Sequence, residues 1–257
     1  MNKPTMNKPA LTKQAWLASL AAQGRPSIDE CVQMLGKDFP LLHAFASTEQ
    51  DPQWHAEGDV HIHTGMVLNE LYGLLETEAA HIQGDHRQAL VLAALLHDIA
   101  KPLSTRRKEV KGIERVVASG HEAMGRSYLA HRLLNLSLPY LVIEIVMGLV
   151  GEHQMPKLLV IKQQGPGAYW KLARKAPMEL LYWLEVADMQ GRTCDDLALQ
   201  LDLLAQFKLF SEEYRLWTGH EPIAALRRDM APSLSKLDRD TREMIFFRTL
   251  RDFEEGD

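Results

Sequence analysis

The chain has 257 residues, of which 46% are hydrophobic and 25% are charged, and this composition excludes disordered and fibrous classes. The formal net charge of -5 argues against broad adhesion to a polyanion, although an acidic total is compatible with a local basic groove. The two cysteines form no recognisable framework, and no apolar run is long enough for a signal peptide or a membrane span. We therefore expect a soluble, cytoplasmic protein with reduced thiols.

Apolar residues recur with a helical period along most of the chain, which predicts an all-α fold. Residues 1–50 are expected to form a small N-terminal helical cap, with two or three short helices between residues 12 and 45. Residues 51–195 are expected to form the core, and residues 196–257 a C-terminal helical extension packed on it.

Five core helices are predicted, because apolar side chains form a stripe or surround the whole helix. The predicted ranges are 63–79, 87–99, 121–134, 139–153 and 176–190. Between them, the charged residues 106–120 indicate an exposed loop or a weak hairpin. Pro156 is interpreted as a stop, and the glycine-bearing segment QQGPGAYW that follows it as a loop.

Histidine and aspartate side chains stand at the ends of four apolar helices. An unpaired polar group in the core costs about 1 to 3 kcal/mol, so each must be hydrogen-bonded, exposed or bound to something. One such histidine is more often a hydrogen-bonded core residue than a ligand. Four helix ends together favour a shared metal site, for which the candidates are His63, His97, Asp98 and Asp188, with His121 and His153 nearby.

The residue types indicate which ions suit this site. Mixed imidazole and carboxylate ligands fit manganese, iron, cobalt, nickel or zinc, whereas an all-oxygen set would favour calcium or magnesium. No cysteine is among the candidates, which argues against a structural zinc site of the finger type.

The order His63, then His97-Asp98, then Asp188 resembles the H…HD…D signature of the HD superfamily of metal-dependent phosphohydrolases. In that family these four positions hold a first metal. His121 and His153 resemble the extra histidines of members that hold a second metal. The resemblance implies an HD-domain helical bundle with one or two divalent ions per chain, drawn from manganese, nickel, cobalt, iron, zinc or magnesium.

Residues 50–192 show a narrower resemblance, to the HD domain of bacterial CCA-adding tRNA nucleotidyltransferases and to the HD domain joined to polynucleotide kinase in bacterial RNA-repair enzymes. The segments that carry it are QDPQWHAEGDVHIHTGMVL, ALLHDIAKP, SGHEAMGRS and ADMQGR. One departure is Ala100, where family members often have glycine after the doublet.

Neither the transferase core nor a P-loop occurs in the sequence, so the resemblance implies a free-standing HD enzyme. It implies hydrolysis of 2′,3′-cyclic or 2′-phosphates of nucleotides or RNA ends. A separate kinase or RNA-repair protein is a candidate partner, and no membrane is implied. The alternatives are a nucleotide or deoxynucleotide phosphohydrolase and a non-catalytic HD regulatory module.

Three residues are the catalytic candidates. Asp98 is expected to bridge two metals, while Lys101 and Arg192 are expected to bind and neutralise the phosphate as charge builds on its oxygens. The alternative for Lys101 is a solvated lysine at a helix C-terminus, and the alternative for Arg192 is a salt bridge at a helix end.

Further side chains are weaker candidates. Glu122 either orients a ligand imidazole or is an acid in a first helical turn. Several polar residues precede the first ligand helix, and His61 is considered as a ligand because it lies close to His63 in sequence. Several aromatic residues could stack a base but are more typical of core packing. The basic run could attract a polyanion but is more typical of a solvated loop. These groups are His55, Glu57, Asp59 and His61; Trp170, Tyr182, Trp183 and Trp217; and Arg106, Arg107, Lys108, Lys111 and Arg115.

Overall fold

The structure is a computed structural model that describes residues 12–217, and these residues are mostly helical, as the sequence predicts. The helices are α1 (Lys13–Leu20), α2 (Ile28–Leu35), α3 (Val60–Glu76), α4 (Gly84–Leu96), α5 (Lys101–Ser104), α6 (His121–Arg132), α7 (Tyr140–Glu152), α8 (Met155–Ile161), α9 (Pro166–Ala173), α10 (Met178–Gln190) and α11 (Leu197–Glu213). Two 3₁₀ helices cover Pro40–Ser47 and Leu133–Leu136.

Helix α4 lies at the centre of the described residues. Ten of its thirteen residues are buried, and it packs against α3, α7, α10 and α1. Its sequence is apolar nearly all round, which is the pattern of a helix surrounded by other helices. Because His97 and Asp98 follow it directly, this packing places them in the interior of the protein.

The N-terminal helices lie on this core. Ser27 caps α2 in a capping box with Glu30, and α2 is one of the short helices expected between residues 12 and 45. Helix α1 contacts α4, while α2 and the following 3₁₀ helix contact α3. The expected cap boundary at residue 50 and the core boundary at residue 195 stay predictions.

Gly191 allows α10 to end against α3. A Cβ atom at this position would stand 2.7 Å from the backbone nitrogen of Val67. Real Cβ atoms essentially never approach another atom so closely. The glycine therefore lets the end of α10, which carries Asp188, meet the first turns of α3, which carry His63.

The charged segment after α5 is an antiparallel hairpin, one of the two structures expected there. Strand β1 (Arg106–Val110) pairs with β2 (Ile113–Val117). The turn residues Lys111 and Gly112 both have positive φ, as a two-residue hairpin turn requires. The hairpin is a small exposed exception to the all-α prediction.

The loop predicted over QQGPGAYW is correct only for residues 163–165, and the stop predicted at Pro156 is wrong. This proline lies in the first turn of α8, and Pro166 lies in the first turn of α9. Proline is compatible with the first helical positions because the backbone N–H there needs no partner inside the helix. The two prolines therefore start helices instead of ending one.

Among residues 12–217, no helix is both long enough and apolar enough to cross a membrane. Helix α11 lies in the expected C-terminal extension and packs on α10 and α8. The remainder of that extension, from residue 218 onward, and residues 1–11 of the expected cap lie outside the described residues.

Candidate metal centre

The six predicted ligand side chains come together inside the described helical core. They are 0–3% exposed and are supplied by α3, α6, the C-terminal ends of α4 and α7, and the last turn of α10. They form two groups that could each hold a cation, namely His63, His97 and Asp188, and Asp98, His121 and His153.

Asp98 stands between the two groups. Its Oδ2 atom lies 3.1 Å from Nε2 of His97 and 3.8 Å from Nε2 of His63. Its Oδ1 atom lies 3.1 Å from Nε2 of His121. Each carboxylate oxygen thus faces a different group, which is the arrangement expected of a bridging ligand.

Asp188 is the third side chain of the first group. Its Oδ1 atom lies 3.0 Å from Nε2 of His63 and 3.8 Å from Nε2 of His97. In the second group, the Nε2 atoms of His121 and His153 are 3.2 Å apart. Every imidazole therefore turns the same nitrogen, Nε2, towards the interior of the cluster.

Backbone carbonyls explain this shared orientation. Nδ1 of His97 lies 2.8 Å from the Ala94 carbonyl oxygen, and Nδ1 of His121 lies 2.8 Å from that of Ala118. Nδ1 of His153 lies 2.9 Å from the carbonyl oxygen of residue 150. A carbonyl can only accept, so in each ring Nδ1 donates the proton, and Nε2 is the nitrogen left to face the cluster.

His63 is oriented in the same way, by a carboxylate and a carbonyl. Its Nδ1 lies 3.0 Å from Oε1 of Glu57 and 3.3 Å from the carbonyl oxygen of Gly191. Glu57 also contacts Nδ1 of His55 at 2.8 Å and accepts a hydrogen bond from the Thr193 backbone N–H at 2.9 Å. The buried Glu57 side chain thus joins the approach to α3 to the segment after α10.

Several inward-facing atoms have no hydrogen-bond partner. They are Nε2 of His63, Nε2 of His97 and Oδ2 of Asp98. Nζ of Lys101 lies 2.7 Å from Oδ2 of Asp98 and forms an ion pair with it. Buried polar atoms are seldom left without a partner, so the two Nε2 atoms, of His63 and His97, indicate a ligand.

The electrostatics keep the two carboxylates ionised. Burial alone would raise the pKa of Asp98, but His97, Lys101 and the hydrogen bond with His121 hold it well below its usual value. Burial likewise opposes ionisation of Asp188, but Arg192 and His63 hold its pKa well below the usual value. Burial, His121 and His97 hold the pKa of His153 well below its ordinary value, which favours its neutral form.

These residues fit a divalent metal. Ligand atoms bonded to one ion at about 2.0 to 2.2 Å lie about 3 to 3.6 Å from one another, and most contacts inside each group fall near that range. Metal binding needs ionised carboxylates and imidazoles that turn one nitrogen to the ion, and the orientation of the four rings leaves Nε2 available for this. His63, His97, Asp98 and Asp188 would hold one ion, and Asp98, His121 and His153 a second.

Both predicted phosphate-binding cations lie beside the cluster, already paired with its carboxylates. Arg192 reaches Asp188 at two points, Nε to Oδ1 at 3.1 Å and Nη2 to Oδ2 at 2.5 Å. The salt bridge named as its alternative role is therefore present. Lys101 is 7% exposed and also donates to Gln50, so the alternative of a solvated lysine is wrong. Their contact with a phosphate stays a prediction.

The weaker candidates separate in the structure. Glu122 lies 3.7 Å from Nδ1 of His121, and the Ala118 carbonyl orients that ring instead. His61 pairs with Asp29 and belongs to neither ligand group. Asp59 caps α3 by accepting a hydrogen bond from the Ile62 backbone N–H.

Alanine at position 100 causes no strain. Ala100 has φ -98° and ψ 2°, a conformation open to any residue, and its side chain is fully buried. The turn after the doublet therefore does not require the glycine that family members often carry.

A fully buried carboxylate, that of Glu185, was not predicted. Glu185 lies on α10, one turn before Asp188, and is fully buried. Burial raises its pKa to about 7, although Lys157 at 3.2 Å opposes this. The sequence contains a signal for this burial, because Glu185 stands among apolar residues of the predicted helix.

A cleft of about 320 Å³ opens beside the ligand cluster. Lys101, Arg192 and His121 line it, and so do residues from the hairpin and from the 50–55 segment. None of the four aromatic residues considered for base stacking lines the cleft. Trp183 is 4% exposed and contacts Tyr182, which in turn contacts Trp217. Trp170 lies on α9.

Two residues of the basic run, Arg107 and Arg115, form ion pairs. Arg107 contacts both Glu49 and Glu114, and Arg115 contacts Asp51. These pairs favour the interpretation of a solvated, ion-paired hairpin over a basic surface for a polyanion.

Comparison with known families agrees with this geometry. Residues 60–181 match the family model of the HD domain. The match supports membership of the HD superfamily, and an HD domain implies a metal-dependent phosphohydrolase. The matched range lies inside the predicted core and ends before Asp188, so the part played by that residue rests on the distances given above.

Proposed function

We propose that the protein is a metal-dependent phosphohydrolase that acts on 2′,3′-cyclic phosphate or 2′-phosphate groups of nucleotides or RNA ends. The observation that carries the hydrolase assignment is the convergence of four Nε2 atoms and two carboxylates, each imidazole locked by an acceptor at Nδ1. The narrower substrate class rests on the resemblance of residues 50–192 to tRNA-end and RNA-repair HD domains.

Divalent metals at such a site polarise phosphoryl oxygens and lower the pKa of water. The chain's own residues then have four tasks. Asp98 offers one oxygen to each ligand group, Glu57 fixes the His63 ring, and Arg192 fixes the Asp188 carboxylate. Lys101 lines the cleft with its ammonium group 2.7 Å from Asp98, where it can neutralise charge that develops on a phosphate.

The alternatives remain a nucleotide or deoxynucleotide phosphohydrolase and a regulatory module. A module that had lost catalysis would be expected to lack some of these side chains, so the close grouping of all six candidates among the described residues supports an enzyme. We further propose a cytoplasmic location, since Cys31 and Cys194 are both free thiols. A separate kinase or RNA-repair protein is the proposed class of partner.

A substrate panel tests the proposal. Phosphate release is measured from a nucleoside 2′-phosphate, a 2′,3′-cyclic phosphate and a nucleoside triphosphate, with manganese, nickel or cobalt. We expect hydrolysis of the first two. Wild-type protein that hydrolyses only the triphosphate would move the assignment to the alternative nucleotide phosphohydrolase.

The variant Lys101→Ala tests the role proposed for this lysine on the same substrates. If Lys101 acts mainly in the transition state, kcat and kcat/KM should fall together while metal content stays intact. A rise in KM with an unchanged kcat would show instead that Lys101 only binds the ground state.

A further inference from the structure

The cleft beside the ligand cluster carries one large aromatic side chain that is half open to solvent. Trp54 is 44% exposed and lines this cleft together with Lys101, Arg192 and His121. It is the one tryptophan, tyrosine or phenylalanine that does so among residues 12–217. Exposed tryptophan in a concave site usually marks a surface that contacts a ligand.

The Trp54 backbone is held in place. Its N–H donates to the Asp51 carbonyl oxygen at 3.0 Å, and the His55 N–H donates to the same oxygen at 2.8 Å. The Asp51 side chain accepts hydrogen bonds from the Gln53 N–H, from the Val116 N–H and from Arg115. The turn that presents the indole is thereby attached to the hairpin and needs little ordering when a ligand binds.

The charges around the cleft suit a ligand with a negative end. Three acidic residues line the cleft: Glu49 is paired with Arg107, Asp51 is paired with Arg115, and Glu122 lies beside His121. Lys101 and Arg192 stand at the ligand-cluster end of the same cleft. A phosphate near these cations leaves the rest of the ligand to occupy the part of the cleft that Trp54 lines.

We propose that Trp54 stacks the nucleobase of the substrate, so that the cleft accepts a single nucleotide or the unpaired terminal nucleotide of an RNA. This deepens the proposed function and rests on it. The cleft volume of about 320 Å³ lies at the small end of ligand pockets, which fits one nucleotide. Stacking reads the face shared by all bases, so little preference among bases is expected.

Binding of adenosine 2′-phosphorothioate, a slowly hydrolysed analogue, tests this on the full chain with manganese. Loss of one stacking contact should weaken binding by about 5- to 150-fold. We expect this loss in Trp54→Leu, which keeps an apolar side chain, and near wild-type binding in Trp54→Phe, which keeps a ring. The cytidine analogue should respond in the same way.

Two controls make the result specific. Trp170→Leu removes a tryptophan of similar exposure, 46%, that lies on α9 outside the cleft, and it should bind as wild type does. Inorganic phosphate should bind equally to wild type and to Trp54→Leu, because it has no base to stack.

The inference is overturned if Trp54→Leu binds the analogue as tightly as wild type, or if it loses inorganic phosphate to the same degree. Phosphate release is scored separately. If binding depends on Trp54 but no phosphate ester is hydrolysed, the proposed function fails and the base-stacking role stands.

Discussion

The ligand cluster and the hairpin use charged side chains in opposite ways. In the cluster the carboxylates are 1% exposed, and nearby cations and oriented imidazoles keep them ionised. In the hairpin the side chain of Arg107 is more than half exposed, and that of its partner Glu49, beside the hairpin, is about half exposed. Buried charges interact strongly because the medium screens them little, and exposed pairs are screened by water and salt. A change in the cluster should therefore alter function far more than a change in the hairpin.

The largest effect is expected for Asp98→Asn. Because its two oxygens face the two ligand groups, replacing one of them by an amide should remove metal from both and abolish hydrolysis. Elemental analysis and turnover are measured together. Asp29→Asn, an exposed aspartate paired with His61, is the matched control and should keep both. Wild-type metal content in Asp98→Asn would show that Asp98 is not a ligand.

A smaller loss is expected for His121→Ala and for His153→Ala, since each changes only the second group. Metal content should fall from two ions to one, and turnover should fall further than occupancy of the tighter site. His81→Ala, an exposed histidine paired with Glu179, should change neither quantity. Either substitution emptying both sites, or leaving turnover unchanged, would contradict the assignment.

Glu57→Gln should act through orientation of His63. An amide cannot accept from both histidines and from the Thr193 N–H as the carboxylate does. Loss of such a partner typically weakens metal affinity by about 10- to 100-fold. Manganese titrations measure the affinity. Glu122→Gln is the control, because Glu122 makes no hydrogen bond to the His121 ring. If the two variants bound manganese with equal affinity, Glu57 would not be a positioning residue for His63.

The smallest effect is expected for Arg107→Ala. The pair with Glu49 is exposed, so thermal unfolding should shift little, and any shift should shrink as salt is added. A large loss of stability that persists at high salt would show that the hairpin is a structural support of the core.

Most of the helices, and the six side chains that the structure brings together, could be predicted from sequence because they leave local patterns. An apolar run that ends in His97-Asp98 predicts both a buried helix and a polar group needing a partner. The helices at Pro156 and Pro166 were missed, since a proline that begins a helix and one that ends it look alike without their neighbours.

Contacts distant in sequence were not predictable. The hydrogen bond from Thr193 to Glu57 joins residues 136 positions apart, so no local pattern announces the role of that carboxylate. Trp54 likewise gains its place in the cleft from the hairpin and the ligand helices that complete the walls. The sequence drew attention instead to aromatic residues that the structure places outside the cleft.

Anomalous diffraction from crystals grown with manganese tests the central claim most directly. The account predicts two peaks about 3.5 to 4 Å apart, one bound by His63, His97 and Asp188, the other by His121 and His153, with Asp98 between them. No peak at these side chains, or a peak only among His55, Glu57 and His63, would contradict it.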